Sequence, residues 1–200
     1  MARLNLREMV EQVNHLTGDE RSPVAIVSDF NRALLDLAPF LCLKEEFVGE
    51  FDGSNSTIPG PKNPIEVARY ATWTSPSGDV ARLRKIAPDA LGSQGWYYDG
   101  SNVGVRFAPT GSPPAGTLSF YYFREPEMLS EDNLDAEPEG GGKVAHALIN
   151  FACAVYFRAL GDDESFGLAE VFQRNYNTAK EEIYAYRRRL MNNIPKGWVI

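Results

Sequence analysis

The chain has 200 residues, two cysteines and a net charge of -7, with 44% hydrophobic and 24% charged residues. Those values describe a globular chain long enough for one real core, and they exclude a disordered protein and a disulfide-stapled scaffold. No apolar run reaches membrane-spanning length, and an acidic balance argues against a dedicated nucleic-acid binder, whose affinity comes from clustered Lys and Arg. The charge is uneven: Lys180 to Ile200 carries a local +3, leaving about -10 for the rest.

Asn5 followed by Glu8 is a capping-box pattern, with Leu4 and Met9 as its hydrophobic staple. It predicts a helix whose buried face is Leu6, Met9, Val10, Val13 and Leu16, ended by Thr17-Gly18-Asp19. Ser22 as cap and Pro23 at the first helical position open a second helix, with Ile26, Phe30, Ala33, Leu34 and Leu37 inward and a stop before Pro39. From about Glu45 to Arg124 the texture changes to Gly, Pro, aromatics and Val, with turn signals roughly every ten residues. Strands are predicted at 46–51, 55–58, 67–73, 80–85, 95–98, 103–107 and 117–123. Alternation is clearest at Val103, Val105, Phe107 and at Leu118, Phe120, Tyr122. Phe51-Asp52-Gly53-Ser54-Asn55 and Tyr98-Asp99-Gly100-Ser101-Asn102 read as two similar hairpin turns.

Glu125 to Glu139 holds seven acidic residues and no basic one, a flexible acidic surface loop running into Gly140-Gly141-Gly142. Val144 to Leu160 is then an apolar helix, with Val144, Leu148, Phe151 and Val155 on a stripe widened by Ala145, Ile149 and Ala152. Gly161 stops it, Asp162 or Asp163 caps the next helix, and Arg187, Arg188 and Arg189 complement the negative end of that helix's dipole. The last helix is long, with an apolar seam at Leu168, Phe172, Tyr176, Ala179, Ile183, Tyr186 and Leu190 for packing against another helix, within the chain or in a second copy. The Ile194-Pro195 step prevents the helix from continuing into Lys196-Gly197-Trp198-Val199-Ile200. Trp, Val and Ile so close together either fold back or dock on a partner.

Chemistry is thinly supplied. His15 and His146 have no third ligand at metal spacing, so no metal site is expected, and both read as surface residues. Cys42 and Cys153 read as reduced packing residues. The acidic loop lacks the glycine and glutamate of a calcium-binding hand, Gly142-Lys143-Val144 lacks the hydroxyl of a phosphate loop, and no Gly-x-Ser-x-Gly elbow occurs. Trp96, Tyr97, Tyr98 and Tyr121, Tyr122, Phe123 could stack on bases or sugars, though aromatic strands more often fill a β-core. The N-terminus shows no secretory pattern, which points to the cytoplasm. A Ser, His, Asp triad stays open, since its members can come from anywhere in the chain.

The order of these signals resembles the head-to-tail adaptor, or connector, proteins of tailed bacteriophages. The likeness is carried by Asp19-Glu20-Arg21 and Asp29-Phe30-Asn31-Arg32-Ala33-Leu34, then Leu83-Arg84-Lys85-Ile86-Ala87-Pro88-Asp89-Ala90-Leu91. Leu118-Ser119-Phe120-Tyr121-Tyr122-Phe123-Arg124-Glu125-Pro126, an acidic loop, and Ala147-Leu148-Ile149 through Gly161-Asp162-Asp163-Glu164 complete it. The expected fold is α+β: a helical bundle with an N-terminal helix pair and a C-terminal pair, its last helix long, carrying an inserted antiparallel β-domain and an extended C-terminal tail. The divisions are 1–43 and 140–191 for the helical body, 44–125 for the β-region, 126–139 for the acidic loop and 192–200 for the tail. The resemblance implies a structural virion protein, with no enzymatic activity and no cofactor, forming a ring of about twelve copies beneath the portal, at the head–tail interface, assembled in the host cytoplasm. Its partners would be the portal protein, a stopper, nozzle or tail protein, and double-stranded DNA passing through the lumen without sequence recognition; no membrane is implied. Pro195, Lys196, Gly197, Trp198, Val199 and Ile200 are then a portal-docking tail, Arg187, Arg188 and Arg189 candidates for DNA or portal contact, and Leu168, Phe172, Tyr176, Ile183 and Tyr186 the packing seam. Rival readings are a stopper or tail terminator, a carbohydrate-binding module using Trp96, Tyr97 and Tyr98, and a virion-borne cell-wall hydrolase.

Overall fold

A computed structural model describes residues 3–90, 92–107 and 115–192. Its elements run α1 (Leu6–Thr17), α2 (Pro23–Leu41), β1 (Leu43–Phe51), β2 (Thr57–Pro59), β3 (Pro64–Val67), β4 (Tyr70–Thr74), β5 (Val80–Arg84), β6 (Gly95–Tyr98), β7 (Asn102–Arg106), β8 (Gly116–Arg124), α3 (Gly142–Leu160) and α4 (Asp163–Asn192). The fold is α+β: helices from both ends of the chain form a bundle, and antiparallel sheets are inserted between them. Two compact units result, one containing 1–42 and 125–192 and the other containing 43–124.

In the helical unit the capping box forms as the sequence predicts. The Asn5 side chain accepts from the Glu8 N–H at 2.9 Å, and the Glu8 carboxylate accepts from the Asn5 N–H at 3.0 Å. Leu6, Met9, Val10 and Val13 are buried, while Leu16, in the last turn before Gly18, is 40% exposed. Ser22 places no side-chain bond on α2, and the helix does not stop before Pro39 but continues to Leu41. Proline removes one backbone hydrogen bond there. Burial of Leu37 and Ala38, with Phe40 and Leu41 packed against the core, offsets that loss. Cys42 ends the helix in the left-handed region at φ 52°.

α3 is the central element and touches each of the other three helices. Its burial is accordingly wider than a stripe, taking in Ala147, Cys153, Ala154 and Phe157, while Phe151 and Val155 are half-buried. Gly161 closes it at φ 79°, and Asp162 caps α4, accepting from the Ser165 N–H at 2.8 Å and the Ser165 hydroxyl at 2.7 Å. Those bonds, the Ser165 N–H first, hold the Asp162 carboxyl below the usual carboxylate range.

The acidic loop is not loose. Leu129 is buried in the helical core, and its peptide N–H and C=O bond the Asn31 side-chain amide at 2.8 and 2.9 Å. Further along, Leu6 and Arg7 donate backbone N–H groups to the carbonyls of Ala136 and Leu134, both at 2.8 Å. Composition marks this segment as solvated, but a few apolar residues with paired peptide groups strap it to α1 and α2.

In the β-unit, β1, β8, β4 and β5 lie in that order, with β3 also on β8; β2, β7 and β6 form a second sheet. Every strand pair is antiparallel. The single strand predicted over 67–73 is two, β3 and β4, with a register irregularity between Pro64 and Glu66 on the β8 side. The repeated pentapeptides fold alike: Asp52 Oδ1 accepts from the Ser54 and Asn55 N–H groups, and Asp99 Oδ1 from those of Ser101 and Asn102. These backbone bonds lower both carboxyl pKa values. Only the Asp99 turn closes a hairpin, between β6 and β7; the Asp52 turn carries the chain from one sheet to the other, because β1 pairs with β8 and β2 with β7. The core is aromatic, with Trp96 stacked on Phe120 at 4.3 Å and Phe47 on Phe120 at 4.9 Å between ring centroids. Trp96 is fully buried and Tyr97 and Tyr122 nearly so, which places them in the core rather than on an open stacking platform.

Candidate assembly surface

α4 has 30 residues against 19 in α3, so it spans about 45 Å against roughly 28 Å. Its buried seam runs through Ser165, Ala169, Phe172, Tyr176, Ala179 and Ile183, at steps of four, three, four, three and four. Of the predicted seam residues, Phe172, Tyr176 and Ile183 pack on the helical core, and Ala169 rather than Leu168 meets it. Leu168 and Tyr186 are 40% and 61% exposed. With Val171 they lie to one side of the seam, while Phe166 and Tyr184, each one position after a seam residue, lie to the other. α4 therefore shows solvent two apolar flanks of different composition.

Aromatic and polar contacts fix the helix against its neighbours. Phe172 stacks on Phe157 at 5.6 Å, and Tyr176 meets Phe151 edge-on at 5.2 Å. The Tyr176 hydroxyl and the Lys180 ammonium both donate to Asp36 Oδ2, at 2.5 and 2.6 Å. Partial burial pushes the Asp36 carboxyl up, but the bonds from Lys180 and Tyr176 and the charge of Lys180 outweigh it and hold the carboxyl below its ordinary value. Burial, reinforced by Asp36, drives the Tyr176 phenol well above its own. One turn on, Lys180 lies over the Phe40 ring, and Phe40 packs edge-on against Tyr184.

Arg187 donates to the Pro39 carbonyl near the end of α2. Arg188 and Arg189 are exposed on α4. The three arginines thus divide between a structural contact and open surface. Pro195, Lys196, Gly197, Trp198, Val199 and Ile200 lie outside the described residues, as does the side chain of Leu190.

The sequence reading missed the polar joints that the α1–α2 linker makes with the helices. Asp29 is buried and accepts from Arg21 at 2.8 Å, with Arg32 at 3.5 Å on its other oxygen. Asp19 accepts from the Tyr156 hydroxyl at 3.1 Å. The available signal was a charged residue sitting between Ile26 and Ala33 on a strongly apolar helix face. His15 and His146 are exposed. Cys153 is buried, which pushes its thiol up to about 12 despite the nearby Arg21 charge. Among the described residues, no group of three or more His, Cys, Asp or Glu could hold a metal ion, and no helix is long and apolar enough to cross a membrane.

A sequence model of the SU10 adaptor protein matches residues 4–195, nearly the whole chain and both units. The chain belongs to the SU10 adaptor protein family. No curated protein matches it. Membership makes it an adaptor-type structural protein of a bacteriophage and agrees with the resemblance read from the sequence. Among the residues that carried that resemblance are several joints of the helical unit: Arg21, Asp29, Asn31 and Arg32 at packing contacts, and Asp162 at the α4 cap.

Proposed function

We propose that the protein forms a ring of about twelve copies beneath the portal, extends the DNA channel and receives the next neck or tail protein. The observation that carries this reading is the adaptor match over residues 4–195, on a bundle whose longest helix keeps two unlike apolar flanks open. Ring closure by rotation needs two different, mutually complementary faces, which such a molecule can supply. A net charge of -7 suits a conduit, since adhesion to passing DNA scales with the phosphates neutralised. The location is the virion neck, after assembly in the host cytoplasm, and no catalytic step belongs to the role. Pro195 to Ile200 would enter the portal, while Arg188 and Arg189, exposed near the end of α4, would meet portal or DNA.

Sedimentation of the full chain, alone and co-expressed with the portal protein of its virus, tests the reading. A portal-sized particle that gains about a dozen copies is the expected result; a chain that stays monomeric in both preparations overturns it. Deleting 195–200 is expected to abolish attachment with the fold intact.

A further inference from the structure

The path β1-β8-β4-β5 has four strands, and β1 and β5 are its two ends, each pairing on one side only within that sheet. An unpaired strand edge is a template for another strand. Because the four strands alternate in direction, β5 runs antiparallel to β1. Continuing the sheet from β5 of one copy to β1 of the next therefore preserves antiparallel pairing, and a contact of that head-to-tail kind closes into a ring by rotation.

The side chains are placed for that join. Val48, Ser119, Thr72 and Arg82 form one row across the outer face, and Glu50, Thr117, Thr74 and Val80 form the next. Glu46 belongs to the same face as Val48, two residues away. So the β1 end of that face carries Glu46, Val48 and Glu50, and the β5 end carries Val80, Arg82 and Arg84. Among the described residues Glu46, Glu50 and Arg84 have no ion-pair partner. Arg82 lies over the Tyr70 ring, its guanidinium carbon 3.9 Å from the centroid, which holds it on the outer face. Val80 and Val48, 70% and 60% exposed, are two of the three most exposed large apolar side chains among the described residues.

We propose that β5 of one copy pairs with β1 of the next, with Val80 opposite Val48 and Arg82 opposite Glu46, so that the outer sheet runs continuously from copy to copy. The pairing ends at Arg82, because Gly95 packs against the Arg84 carbonyl and Lys85 is already bridged to Trp96. Two-fold alternatives fit worse: β1 on β1 about Val48 sets Glu46 against Glu50, and β5 on β5 about Arg82 sets arginine against arginine. This contact rests on the ring reading and names its interface.

The test uses the full chain carrying Cys42→Gly, which suits the φ of 52° there, co-expressed with its portal protein. Val48→Cys and Val80→Cys are introduced separately and together, and the sedimented particles are oxidised mildly; directly opposed residues in adjacent strands are close enough for a disulfide. The double variant is expected to give a ladder of covalent multimers, and each single variant none. Particles of normal size without a ladder overturn the edge contact and leave the ring standing, as do dimers from Val48→Cys alone. A parent chain that forms no particle overturns both. Charge exchange gives a second measurement: Glu46→Arg and Arg82→Glu should each raise the concentration needed for half-maximal co-sedimentation about tenfold, and the combined variant should restore it, with unchanged melting curves showing that all three fold. Single variants that co-sediment like the parent overturn the pairing.

Discussion

The helical unit and the β-unit solve the same problem with different materials. In the helical unit the core is largely aliphatic and rich in alanine, and polar pairs fix linker, loop and helices against one another: Arg21 of the α1–α2 linker with Asp29, Asn31 with the Leu129 peptide, Tyr176 and Lys180 with Asp36. In the β-unit nearly all specificity lies in ring geometry, through Phe47, Phe51, Trp73, Trp96, Phe107 and Phe120. The one buried side-chain polar atom without a hydrogen-bond partner among the described residues is Trp96 Nε1, and it lies in this unit. A smooth helix surface permits sliding and rotation that apolar contacts alone resist poorly, so directional bonds set the register. A sheet's ladder already fixes register, and the side chains need only fill volume.

Substitutions can break this contrast. The largest effect is expected from Phe120→Ala, which opens a cavity between Trp96 and Phe47. It should cost the β-unit about 3–5 kcal/mol, read as a fall in its denaturant midpoint. Asp29→Ala leaves Arg21 buried at 13% side-chain exposure without its carboxylate. A loss of about 3 kcal/mol is expected, and Asp29→Asn should recover part of it; equal losses would show that the charge is unimportant. Asn31→Ala removes both bonds to Leu129 and should cost about 2 kcal/mol. It should also raise the hydrogen-exchange rate of the Leu129 amide, and unchanged exchange would mean that the loop is held by packing alone.

The smallest effect belongs to Asp36, whose side chain is 46% exposed. Asp36→Asn should cost at most about 1 kcal/mol at neutral pH, since screening by water weakens such pairs. Its folded pKa lies below the ordinary 3.8, so the carboxylate's contribution is complete above that value and disappears as pH falls through the folded pKa. The variant and the parent should therefore converge in stability on acidification below about pH 4, near the ordinary pKa of aspartate. A constant gap down to pH 2 would refute the assignment.

Local signals proved legible and long-range ones did not. The Asn5 capping box, the Gly161 stop and the Asp162 cap are decided by neighbours within a turn and fold as the residues dictate. Pro39 misleads because tertiary burial of Leu37 to Leu41 outweighs one lost backbone bond, and Leu168 because a small residue, Ala169, was the one close approach required. The Asp52 and Asp99 turns differ only in which strands lie beyond them. For the same reason the candidate assembly surface could be reached from sequence only as a list of seam residues: exposure on α4 and at the two sheet ends depends on what the rest of the chain happens to cover.

The partition of aromatic residues has an optical consequence. The chain's tryptophans are Trp73, Trp96 and Trp198, and neither 3–42 nor 125–192 contains one. In a Trp198→Phe chain, all indole emission would come from the core of the β-unit, where Trp96 sits at 0% exposure against Phe120. Ellipticity at the helical band would come chiefly from the four helices. One sample then reports on two melting events at two wavelengths, and the separation between the curves measures how far the two units share a single cooperative transition.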